Sequence, residues 1–223
     1  MIHWNSPNNL QQAGDRLSNL MRKLKFRFKE SLGKQKRDIV VYCVDDAREA
    51  LEASKKQFES ALEEFSALTQ FDGGDLQDLY RRLKLELSYC QSRAKSVAER
   101  IDTLEQASEA LFDEWEKELE AFKNRSLRSN SRQQLKAARQ QYQRLIKVMR
   151  KAQTRIDPVL AVFQDQVLSL KHSLNAQAIA ALQNEMLSVA LDITALIKAM
   201  QMCIEEAERF SQRLRPQTAL PEL

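Results

Sequence analysis

The side chains that could perform acid–base, nucleophilic or metal chemistry are few in this sequence, and poorly spaced for it. There are two histidines, His3 and His172. A di-metal centre inside a helical bundle needs Glu-x-x-His on two helices, but the residue three before His172 is Ser169. His172 follows Lys171 near an expected helix end, where a cation interacts favourably with the helix dipole. The carboxylates of "DEWEKELE" (Asp113, Glu114, Glu116, Glu118 and Glu120) read as a solvated helix face. Cys43, Cys90 and Cys203 are odd in number and widely scattered, which fits neither a disulfide framework nor zinc spacing. Gly33-Lys34 is followed by Gln35 and has no glycine at the preceding phosphate-loop position. No Ser or Cys has a histidine partner at a readable spacing. These residues point to a non-enzyme, with no cofactor and no metal.

The elements that carry them are helices. Hydrophobic residues make up 43% and charged residues 30% of the 223, too apolar for disorder and too charged for a membrane protein. The four glycines (Gly14, Gly33, Gly73 and Gly74) all lie in the first third. From Asp75 to Arg215 there is no glycine and one proline, Pro158. Sheets need turn residues at shorter intervals than that. The longest apolar runs, "IVVYCV" and "VLAVF", fall well short of the roughly 18–20 residues that span a bilayer. The start, "MIHWNSPNNL", lacks the pattern of a secretory signal. With three unpaired cysteines, the expected location is cytoplasmic, with a peripheral position at the inner membrane as an option.

Four segments place apolar residues alternately three and four apart. The first runs from Val40 through Leu51, Phe58 and Phe65 to Leu68 and stops at "FDGGD". The second runs from Leu76 to Phe122, with stutters at 79–83–87 and 111–115–119. A break is expected in "NRSLRSNSRQQ", with Ser131 and Gln134 at capping-box spacing. The third segment runs from Leu135 to Leu174 and the fourth from Ile179 to Leu214. The expected fold is all-α: an elongated antiparallel bundle of four long, coiled-coil-like helices plus a shorter N-terminal amphipathic helix. The division is a basic amphipathic segment at 1–36, the bundle at 37–214 and a disordered tail at 215–223.

In residues 156–182, "IDPVLAVFQDQVLSLKHSLNAQAIAAL", a proline interrupts the charged, periodic pattern and apolar residues crowd together. Pro158, after Asp157, suits the first turn of a helix or a tolerated kink. The fourth helix carries Ala190, Leu191, Ala195, Ile197 and Ile204 off its main stripe, so it is expected at the centre of the bundle. The stretch against it reads as core, with an exposed partner groove at Val159, Leu160, Val162 and Phe163 as the alternative.

The run "KQKRDIVVYCVDDAREA", with "FDGGDLQDLY", "ALFDEWEKELEAFKN" and "RLIKVMRKAQTRIDPVLAVFQDQVLSLKHSLNAQAIAAL", resembles a bacterial family known only as domain of unknown function 2959. The resemblance covers roughly residues 34 to 212 in one order. It implies a helical bundle with no established activity and therefore brings no catalytic residues. Some relatives carry a DNA-repair ATPase label, which the missing phosphate loop does not support here.

Charge is unevenly distributed. The whole chain is +4, yet residues 16 to 37 hold Arg16, Arg22, Lys23, Lys25, Arg27, Lys29, Lys34, Lys36 and Arg37 against Glu30 alone. Leu17, Leu20, Met21, Leu24, Phe28 and Leu32 fall on one helical face of this segment. A basic amphipathic helix suits an anionic membrane surface or an acidic protein partner; the plainer reading is a helix packed back on the bundle. The expected function is a non-enzymatic structural or interaction protein, a helical scaffold docking through this helix, with homo-oligomerisation open. A nucleic-acid-associated coiled-coil protein is the alternative, weakened by acidic runs at 45–64 and 113–120 and by the lack of stacking aromatics.

Overall fold

The computed structural model describes residues 32–69, 76–172 and 176–214, with side chains described over 38–66, 77–171 and 188–213. The expected short N-terminal helix, the Gly73-Gly74 stop and the C-terminal tail lie outside these residues. Four helices account for nearly all of the described chain: α1 (Leu32–Thr69), α2 (Leu76–Ala121), α3 (Arg125–His172) and α4 (Ala176–Leu214). At ~1.5 Å per residue they are roughly 55 to 75 Å long.

The apolar periodicity places the core. Val40, Val44, Ala47, Leu51, Phe58, Ala61 and Phe65 on α1 are all buried, as are Val189, Ile193, Leu196, Met200, Cys203, Ala207 and Phe210 on α4. Each helix packs on two neighbours: α1 on α2 and α4, and α3 on α2 and α4. Cross-helix contacts set the directions. Asp46 pairs with Arg100 and Glu64 with Arg82, so residue numbers fall on α2 as they rise on α1. Glu116 pairs with Arg139 and Glu105 with Arg150, so α2 and α3 also run in opposite directions. Across the diagonal, the Phe65 and Phe163 rings meet edge to face at 4.6 Å, a geometry that aromatic quadrupoles favour.

Two expectations are corrected. The first concerns α4, which does not occupy the centre; it packs on α1 and α3 like any other member of the ring. Its off-stripe residues are divided: Ile204 is buried in the core and Ile197 packs partly against it, whereas Ala195 is exposed and Leu191 is 63% exposed. The second concerns the helix start after "AFKN", which is capped by Asn124 and not by Ser131. Asn124 Oδ1 accepts from the backbone N–H of Ser126 at 2.9 Å and of Leu127 at 3.3 Å, satisfying donors that a helix start leaves free. Ser131 lies inside α3, and its hydroxyl accepts from the Trp115 indole at 2.9 Å. Pro158 also lies within α3, which runs unbroken to His172.

The apolar residues form two clusters. The larger draws on all four helices. The smaller comprises Phe112, Trp115, Leu119 and Leu135, with Phe122, Ala138 and Tyr142 against it, all from α2, α3 and the turn joining them. The second stutter explains it: steps of four at 111–115–119 turn the stripe so that Phe112 is buried beside Trp115.

Candidate interaction surface

The sequence-derived candidates occupy different environments. Arg16, Arg22, Lys23, Lys25, Arg27 and Lys29 lie outside the described residues. Lys34, Lys36 and Arg37 belong to the first turns of α1, and their side chains also lie outside the described set. In the 156–163 stretch, Phe163 is fully buried, Val159 is 8% and Leu160 is 9% exposed, and all three belong to the main core. Val162 faces outward at 38%. The core therefore takes three of the four residues considered for a partner groove.

The thiols are likewise part of the packing. Cys90 donates to the Gln57 carbonyl of α1 at 3.7 Å, and Cys203 to the Val148 carbonyl of α3 at 3.2 Å. Burial raises Cys43 to about 11 and Cys90 and Cys203 to about 12, so at neutral pH all three remain protonated and weakly nucleophilic. Among the described residues, no group of three or more His, Cys, Asp or Glu is placed to hold a metal ion. No described helix is long and apolar enough to cross a membrane.

The surface is organised by charge. Over residues 38–69, α1 has three Lys/Arg against eight Asp/Glu, a net −5. Helix α3, from Arg125 to His172, has eleven Lys/Arg against two Asp/Glu, a net +9. Because both α1 and α3 pack on α2 and α4, the bundle has an acidic edge and a basic edge on opposite sides. Sequence reasoning missed the second, although its signal was available: residues 121–156 contain eleven Lys/Arg and no Asp or Glu. A charge tally by helix, in place of a search for short runs, would have found it.

Two of the α3 cations are engaged by α2. Arg150 binds Asp102 at 2.6 Å and also Glu105, and these hydrogen bonds hold its guanidinium above the usual range. Arg139 pairs with Glu116, whose carboxyl is held below the usual range by that hydrogen bond, and stacks over the Phe112 ring at 5.4 Å. Lys136, Lys147 and Lys151 are exposed and make no ion pair among the described residues. Arg144, also exposed, reaches only the Gln140 carbonyl of its own helix. Two polar side chains hold the tip in place: Trp115 is tied to Ser131, and Arg128 donates to the Phe122 carbonyl at 2.5 Å.

Comparison with known proteins adds a family. A family model described as a protein of unknown function, DUF2959, matches residues 25–214, starting within the basic segment and ending with α4. No curated protein matches the chain.

Proposed function

The chain belongs to the DUF2959 family of proteins of unknown function, and we propose that it is a non-enzymatic helical scaffold held at an anionic membrane surface by its basic N-terminal segment. One observation carries this reading: residues 16–37 have a net charge of +8 in a chain of +4, interleaved with Leu17, Leu20, Met21, Leu24 and Phe28 at helical spacing. Cations attract lipid phosphates and apolar residues enter the interface, the combination that interfacial helices use. Each cation near such a surface contributes on the order of 1 kcal/mol, so the segment can hold the protein without a covalent anchor. The body supports the reading by burying its apolar stripes and thiols internally, leaving long charged faces outside. In this reading the elongated antiparallel bundle is a spacer.

Vesicle flotation tests this with the full chain, comparing phosphatidylglycerol-containing with purely neutral vesicles. Intact protein is expected to float with the anionic vesicles only, and less as salt is raised. Changing Arg22, Lys23, Lys25, Arg27 and Lys29 to Gln is expected to weaken flotation strongly. Equal flotation of that variant would remove the segment from the mechanism. Binding to duplex nucleic acid without vesicle binding would replace the reading with nucleic-acid association, and capture of an acidic protein without vesicle binding would replace it with protein docking.

A further inference from the structure

We infer that the outer face of α3 between Arg125 and Arg155 is a second docking surface for an anionic phospholipid bilayer, one that lays the bundle on its side against the membrane. This rests on the membrane reading above but involves different residues.

The first support is charge without cancellation. Ten Lys/Arg and no Asp/Glu fall between 125 and 155, and α2 carboxylates bind only Arg139 and Arg150 among the pairs described. Lys136, Arg144, Lys147 and Lys151 stand exposed with Gln140 and Gln143 between them, a face of cations and hydrogen-bond donors with no carboxylate from α3 itself. A solvated helix in a protein of mixed charge ordinarily alternates signs.

The second is polarity across the body. An anionic plane attracts the basic α3 edge and repels the acidic α1 edge opposite it, so the distribution of charge selects one orientation. The third is position. Asp46 pairs with Arg100 and Arg150 with Asp102, which puts residues 46, 100 and 150 at one level of the bundle. Towards its start, α1 runs from that level in the direction of the α2–α3 turn, and α3 carries eight of its eleven cations between that level and the turn. The start of α1, which carries Lys34, Lys36 and Arg37, therefore lies towards the end of the bundle that holds the α3 cations.

Shape separates a membrane from a duplex. Thirty helical residues form a straight ridge of roughly 45 Å. A flat lipid surface meets all of it, whereas the strands of a duplex wind around their axis and meet a straight line only at intervals.

The test changes Lys136, Arg144, Lys147 and Lys151 to Gln in the full chain and measures partitioning onto phosphatidylglycerol vesicles at ~0.1 M salt. At roughly fivefold per cation the four changes are expected to lower partitioning by about 600-fold, with circular dichroism and thermal midpoint unchanged. Exchanging Lys136, Lys147 and Lys151 for Arg is expected to retain binding, since only charge is required. Unchanged partitioning of the Gln variant overturns the inference, and so does preferential binding to duplex DNA over vesicles that the same four changes abolish. If the N-terminal Gln variant alone loses binding, the α3 surface fails and the N-terminal reading stands. If the α3 variant alone loses it, the reverse holds.

Discussion

The four-helix body and the α2–α3 tip solve the same burial problem with different means. In the body each helix is flanked by two others, and burial is complete for aliphatic and aromatic residues alike: Val44, Leu51, Phe58, Ile101, Leu104, Leu145, Phe163 and Ile193 are completely removed from water. At the tip only α2, α3 and their turn contribute to the cluster, and its members remain 4 to 8% exposed. Phe112 and Trp115 supply half of its buried members, and a large flat side chain covers more area per residue. Phe112 meets Tyr142 edge to face at 5.5 Å, and Arg139 covers the Phe112 ring. Polar groups close the flanks through the Trp115–Ser131 hydrogen bond and the Asn124 cap. Two helices can bury a core only when polar neighbours shield its edges.

Removing a ring from each region tests this contrast. Phe163→Ala leaves a cavity at the diagonal contact with Phe65, where no polar group can compensate. It is expected to cost about 3–5 kcal/mol, read as a lower urea midpoint for the whole protein. Trp115→Ala is expected to cost somewhat less, about 3 kcal/mol, and to act locally. Amide exchange is then expected to rise over 112–142 while Leu51, Ile101 and Ile193 stay protected. Uniform loss of protection would mean that tip and body unfold as one unit. Asn124→Ala removes two hydrogen bonds at the start of α3 and is expected to cost about 1 kcal/mol. Faster exchange at Ser126 and Leu127 with little change in thermal midpoint is its signature, and Ser at 124 should restore most of the loss.

How legible each region was follows from how local its causes are. The stripes on all four helices could be read residue by residue, because a period near 3.5 is imposed by the helix itself. The break near 124 was legible as a region, but Ser131 and Asn124 both satisfy the chemistry of a cap. Only the position of Trp115, which takes up the Ser131 hydroxyl, separates them. The fourth helix misled for a related reason. Its extra apolar residues include Ala195, which tolerates solvent, and Leu191, which is left exposed, alongside the buried Ile204.

The candidate surface divides in the same way. That residues 16–37 and 121–156 are basic is written in the chain, since charge is a property of composition. That α3 opposes the acidic α1, and that most of its cations lie towards the end where α1 starts, depends on helix order and direction. Helix formation and the buried stripe are settled by interactions three and four residues apart, which the sequence alone determines. Which helices become neighbours is settled by contacts between residues dozens of positions apart, such as Asp46 with Arg100 and Asp102 with Arg150. Only the tertiary structure decided those.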